Sequence, residues 1–157
     1  MRAAQSPIDG QLYYSGLTGW QAGATQEGSI QRLRFTGKDG IYLREAKARK
    51  NRLELTFTDK VKPDSINMDS FHAVAWNYQW SKGYGSPSFK VSDPKTRGDD
   101  KLTIESINPS KDGKTLIVHI PDLAPCHNLK LDFTVDSSNG SKLSGPVYFT
   151  IHELPES

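Results

Sequence analysis

The sequence predicts an all-β protein whose antiparallel strands form a sandwich or barrel, and three observations carry that prediction. Apolar and polar residues alternate at a period of two over several short runs. Turn-forming residues separate the runs. Helical spacing of apolar residues is nearly absent, so no helices are available to cross between parallel strands.

Strands are expected near 12–15, 29–36, 41–49, 52–58, 71–80, 88–92, 101–107, 114–120, 128–135 and 147–152. The stretch Arg44, Lys47, Arg49, Lys50, Arg52, interleaved with Glu45 and Glu54, reads as a solvated strand face, and edge strands use lysine to block unwanted pairing. Leu53, Leu55 and Phe57 alternate with Glu54 and Thr56, which puts the apolar set on one face. Pro63-Asp64-Ser65-Ile66-Asn67-Met68 could open a single helical turn. On the next strand His72, Val74, Trp76, Tyr78 and Trp80 share a face by alternation. Lys111-Asp112-Gly113-Lys114 is the strongest hairpin signal, because Asp-Gly supplies positive φ. It precedes the alternating set Leu116, Val118, Ile120. Leu129, Leu131, Phe133 and Val135 form the longest alternating set, and Asn139-Gly140 marks the turn toward Val147, Phe149 and Ile151. Pro94, Pro109, Pro121, Pro125 and Pro146 are read as falling between strands, since proline cannot donate to a ladder. A composition shift near Gly37-Lys38-Asp39-Gly40 suggests a boundary. Residues 1–37 hold two strand candidates, too few for a core of their own.

Composition narrows the function classes. The 157 residues carry 20 Lys+Arg against 18 Asp+Glu, a net charge of +2 that gives no electrostatic case for nucleic acid or an anionic membrane. No window approaches the roughly 20 apolar residues of a membrane-spanning helix. The first 15 residues have no apolar run of the secretory-leader type. The single cysteine, Cys126, excludes an internal disulfide and any multi-cysteine metal site.

Two sets of motifs resemble known proteins. Leu53-Glu54-Leu55-Thr56-Phe57-Thr58-Asp59 with Pro63-Asp64-Ser65, Ser110 to Leu116, and Pro121 to Pro125 resemble bacterial Ig-like sandwich domains of surface and envelope proteins. Trp76-Asn77-Tyr78-Gln79-Trp80, Tyr84-Gly85-Ser86-Pro87 and Val91-Ser92-Asp93-Pro94 are more specific. With Asp9 to Tyr13 and Gly19-Trp20-Gln21, they resemble the C-terminal region of large exported bacterial proteins. Those proteins carry a quinone-dependent sugar dehydrogenase-type β-propeller, often with a c-type cytochrome domain. The resemblance implies that residues 1–37 are a strand segment like the last propeller blade and that 38–157 form an Ig-like β-sandwich. It also implies a periplasmic or extracellular location. Most of the propeller and any Cys-x-x-Cys-His haem motif are absent, so no catalytic residue carries over.

The remaining candidates each have an ordinary explanation. Cys126-His127 pairs a thiol with an imidazole, but neighbours on an extended chain face apart, so a half-buried structural cysteine is expected. His72, His119, His127 and His152 are scattered, with no convergence toward a zinc site. Asp93, Asp99 and Asp100, near Asn77 and Ser92, could offer oxygen to calcium, but the order is not an EF-hand and such residues also make turns. Asn139-Gly140-Ser141 fits a glycosylation sequon as well as a turn.

The aromatic group Trp76, Tyr78, Trp80 and Tyr84 is the most informative feature. These rings either fill the core or dock on a neighbouring domain, which is the favoured reading, or form a platform that stacks on sugar rings. The expectation is therefore a non-catalytic docking domain at the C-terminal end of a larger exported dehydrogenase-like protein, with propeller or cytochrome domains as partners. A carbohydrate-binding module using Trp76, Tyr78 and Trp80 is one alternative, with carbohydrate as its partner. A fragment of a quinone-dependent sugar dehydrogenase is the other. No catalytic, cofactor-binding or metal-ligating residue is assigned, and neither nucleic acid nor membrane insertion is expected.

Overall fold

The computed structural model describes residues 2–16, 28–34, 37 and 39–156. The expected motif around Gly19-Trp20-Gln21 lies outside the described residues. The chain divides into two compact units, Met1–Lys38 and Asp39–Ser157.

The first unit holds a three-stranded antiparallel meander of β1 (Arg2–Gln5), β2 (Leu12–Gly16) and β3 (Ser29–Leu33), in the order β1-β2-β3. β1 was not expected from the sequence; its four residues carry no alternation, and only pairing with β2 makes it a strand. Residues 3–16, 28, 30–34 and 37 are all at least partly exposed, and Ile8 and Ile30 stand almost wholly in solvent.

The second unit is an all-β, Ig-like antiparallel sandwich. One sheet has the order β4-β5-β9-β8, from Leu43–Arg49, Arg52–Phe57, Thr115–His119 and Ser106–Pro109. The other has the order β11-β10-β6-β7, from Lys142–Ile151, Cys126–Asp136, His72–Trp76 and Asp100–Leu102. The alternating sets become the core. Leu53, Leu55, Phe57, Leu116, Val118 and Ile120 face Leu129, Leu131, Phe133, Val135, Ala73 and Ala75, and all are buried. Register explains the fit: Leu55 pairs with Leu116 on one sheet, and Leu131 pairs with Ala73 and Val147 on the other. Phe133 sits between two rings, edge-on to Phe57 at 6.0 Å and stacked with Phe71 at 6.2 Å. The polar partners stay outside, where Arg52 pairs with Glu54 at 2.8 Å and Thr56 meets Thr115 at 3.0 Å.

Both expected hairpins form. The Gly113 N–H donates to the Ser110 carbonyl at 2.9 Å, and the Gly140 N–H to the Ser137 carbonyl at 3.0 Å. Each glycine takes the positive φ that closes its turn, +71° and +88°. Pro63 and Asn67 open two 3-10 turns, Pro63–Ser65 and Met68–Ser70, where one helical turn was expected.

The structure corrects four expectations. The strand expected at 71–80 ends at Trp76. The one expected at 88–92 is absent, and Phe89 makes only isolated bridges to Asn77 and Arg97. The strand expected at 101–107 is two pieces, β7 and β8, that belong to opposite sheets, so residues 103–105 cross between them. Pro109 and Pro146 lie inside strands; both strands are sheet edges, where a missing N–H breaks no ladder.

Candidate functional site: an aromatic groove beyond strand β6

Strand β6 inverts the usual placement of size. Its small residues, Ala73 and Ala75, point into the core, while His72, Val74 and Trp76 point outward. Beyond Trp76 the chain leaves the ladder and runs for 23 residues, 77–99, before β7, longer than most connections in a compact domain.

This segment is a folded tongue. Asn77 and Phe89 exchange two backbone hydrogen bonds of 2.8 Å, which closes a loop around residues 78–88. The Gln79 side chain donates to the Pro94 carbonyl at 2.8 Å, and the Gln79 N–H donates to Ser86 Oγ at 3.0 Å. Asp93 accepts from the Lys95 N–H and the Thr96 hydroxyl; Asp100 accepts from the Ser92 N–H at 2.7 Å and its hydroxyl at 2.8 Å. The Ser92 N–H, with its hydroxyl, holds the Asp100 carboxyl below the usual carboxylate range, and the Thr96 hydroxyl does the same for Asp93. Two of the three carboxylates considered for calcium, Asp93 and Asp100, thus hold turns, and no group of three or more His, Cys, Asp or Glu gathers among the described residues.

The tongue is pinned to β10 at a bulge between Cys126 and Leu129. Both of these face the core, and the extra residue turns His127 outward. The His127 N–H donates to Asn77 Oδ1 at 2.8 Å, and the Tyr78 N–H donates back to His127 Nδ1 at 3.1 Å. The imidazole then lies against the Tyr78 ring, with centroids 4.3 Å apart. Cys126 points the other way, and burial pushes its thiol pKa up, the opposite of an activated nucleophile.

Three of the four aromatic candidates line one open groove of about 460 Å³: Trp76 at the end of β6, with Tyr78 and Trp80 along the tongue. Trp76 is half-buried, Tyr78 is 52% exposed and Trp80 95% exposed. Tyr84 stands wholly in solvent and does not line the groove. They are not core residues, and they do not share a strand face, because the strand stops at the first of them. Gln79, Ser81, Ser86 and Asn128 supply the polar side chains of the lining. Asn128 was not anticipated. It is brought opposite Trp76 by the register of β10 on β6, and nothing in the local sequence marks it. Among the described residues no protein group engages the Asn128 amide or the indole N–H groups of Trp76 and Trp80.

Comparison with known proteins adds little. No protein-family model and no curated protein matches the sequence. Among solved structures, the chain is similar to two crystal structures of PcoC from Escherichia coli, described as a copper resistance protein and, in one case, as methionine-rich. Identities are 14% and 13%, coverage is 70% and 71% of this chain and 98% of each of those, and the TM-score is 0.44 for both. A likeness at that level carries no argument about this chain. No helix among the described residues is long and apolar enough to cross a membrane.

Proposed function

We propose that the chain is a non-catalytic recognition module that binds saccharide through the groove of Trp76, Tyr78 and Trp80. The observation that supports this is a concave surface in which exposed ring faces stand beside uncommitted hydrogen-bonding groups. A sugar ring has an apolar C–H face and a rim of hydroxyls. The electron-rich face of an indole suits the first, and the Asn128 amide suits the second. The clamp of Asn77, His127 and Tyr78 holds one ring in place before any ligand arrives, which lowers the entropy lost on binding.

Trp80→Ala is the direct test, because a side chain this exposed is not needed for the fold. We expect its stability to stay within about 0.5 kcal/mol of the parent, while calorimetric titration against an oligosaccharide panel shows affinity reduced by about tenfold or more. A folded parent chain that binds no saccharide at millimolar concentration overturns the reading. Docking on another domain of a larger exported protein is the second reading, and Tyr84 favours it: this ring is wholly exposed yet lies outside the groove. That reading requires Tyr84→Ala to weaken domain association and leave saccharide titrations unchanged. The likeness to propeller-bearing dehydrogenases, and the exported location that it implies, rest on the sequence motifs alone.

A further inference from the structure

The lining of the aromatic groove carries no ionic side chain. Charged residues make up 24% of the chain, yet among the described residues every side chain that lines this groove is a ring, an amide or a hydroxyl. Ser81 and Gly83 line it, and Lys82 between them does not. Lys130, two residues beyond Asn128 on β10, is also outside the lining and meets Asp132 at 2.8 Å. Other hollows of the sandwich differ. One of about 610 Å³ beside Val74 includes Asp69, His72 and Lys101 in its lining, and one of about 330 Å³ beside Ala75 includes Asp100, Lys101 and Asp122.

The polar atoms of the groove divide into those the fold uses and those it leaves over. Ser86 Oγ accepts from the Gln79 N–H at 3.0 Å and donates to the Pro87 carbonyl at 2.9 Å. The Gln79 side-chain nitrogen donates to the Pro94 carbonyl at 2.8 Å, which leaves the side-chain oxygen. That oxygen, both ends of the Asn128 amide, the Tyr78 hydroxyl and the two indole N–H groups meet no protein partner among the described residues. What is left over therefore mixes donors with acceptors and includes no ion.

We infer that the groove's ligand is an uncharged saccharide, stacked on Trp76 and Trp80 and oriented by the Asn128 amide. This rests on the saccharide reading above and names the substrate class within it. A sugar hydroxyl donates and accepts at once, so a rim of hydroxyls can meet amide oxygens, amide N–H groups and indole N–H groups together. A carboxylate only accepts. It would face two amide oxygens and the electron-rich ring faces, and would give up water with no cation in exchange. An ammonium group only donates, and no carboxylate in the lining answers it. Ring faces do attract cations, which makes an amino sugar the sharpest competitor in a test.

That test uses the full chain and pairs of oligosaccharides that differ chiefly in charge. The pairs are oligomers of N-acetylglucosamine against glucosamine, and of galactose against galacturonate, titrated by calorimetry at a pH where amine and carboxyl are both ionised. We expect at least one uncharged oligomer to bind about tenfold or more tighter than its charged counterpart. Its affinity should stay within about twofold as sodium chloride is raised, since no ion pair is there to be screened. Asn128→Asp keeps the side-chain shape but puts a carboxylate in the groove, and should weaken that oligomer by about tenfold. The salt series on the parent chain supplies an independent measurement should this variant misfold. A charged oligomer that binds as tightly as its uncharged counterpart, an affinity that falls with salt, or full affinity in a folded Asn128→Asp chain overturns this inference and leaves the saccharide reading standing. No binding by any probe to the folded parent overturns both.

Discussion

Strand β10 and the segment from Trp76 to Trp80 carry the same pattern with opposite outcomes. Leu129, Leu131, Phe133 and Val135 alternate and are buried to within a few per cent. Trp76, Tyr78 and Trp80 alternate just as strictly, yet they pass from half-buried to almost fully exposed over five residues. β10 is paired by β11 from Leu129 to Asp136 and also by β6 from Asn128 to Asp132, so a neighbouring strand enforces its pleat along nearly its whole length and every second side chain enters the core. The Trp76 segment keeps a ladder partner only as far as Asn128. Past that point alternation no longer specifies a face. The comparison teaches that a period of two reports shared orientation only where neighbouring strands exist to hold it.

The largest effect that can sharpen this contrast is on the β10 side. Leu131→Ala leaves a cavity between Ala73 and Val147 in the middle of the sheet, and should destabilise the fold by about 2–5 kcal/mol in urea unfolding. A loss no larger than that of an exposed substitution would show that β10 does not organise the core.

A smaller effect should come from the clamp that joins the two regions. Asn77→Ala removes the acceptor of the His127 N–H and should cost about 1 kcal/mol. The His127 amide resonance should move, and saccharide affinity should fall because Tyr78 is no longer held. If the variant keeps full affinity, the groove does not depend on the bulge in β10.

The smallest effect is confined to the tongue and depends on acid. The Asp100 carboxyl is held below its ordinary range in the folded chain, so its support of Ser92 is full above that range and is lost as pH falls through the lowered value. From about pH 7 down to about pH 4 the Ser92 amide should stay protected from exchange, and protection should decline in stronger acid. Asp100→Asn should remove that pH dependence. An unchanged acid profile in the variant would mean that other groups hold the tongue.

Much of the sandwich was legible because its information is local. Leu53 to Phe57, Leu116 to Ile120 and Leu129 to Val135 declare their faces within a few residues, and Gly113 and Gly140 supply the φ their turns need. The candidate site was legible only in part. Its rings were visible as residues, but their arrangement depends on Asn128 and His127, about fifty positions away, and no local spacing encodes that register. The division of 101–107 between two sheets was hidden for the same reason: Leu102 and Ile104 alternate as one strand would, and the crossing depends on which sheet has a free edge.

The amino-acid order by itself determined the all-β class, the inward faces of the long strands and the positions of the tight turns. Each of these follows from side-chain size, backbone φ and a two-residue pleat, which act over a handful of bonds. Only the tertiary structure decided where β6 ends, which rings meet solvent, and that Asn128 lies beside them. Those outcomes depend on strand register and on the bulge in β10, where residues far apart in the chain compete for the same hydrogen bonds.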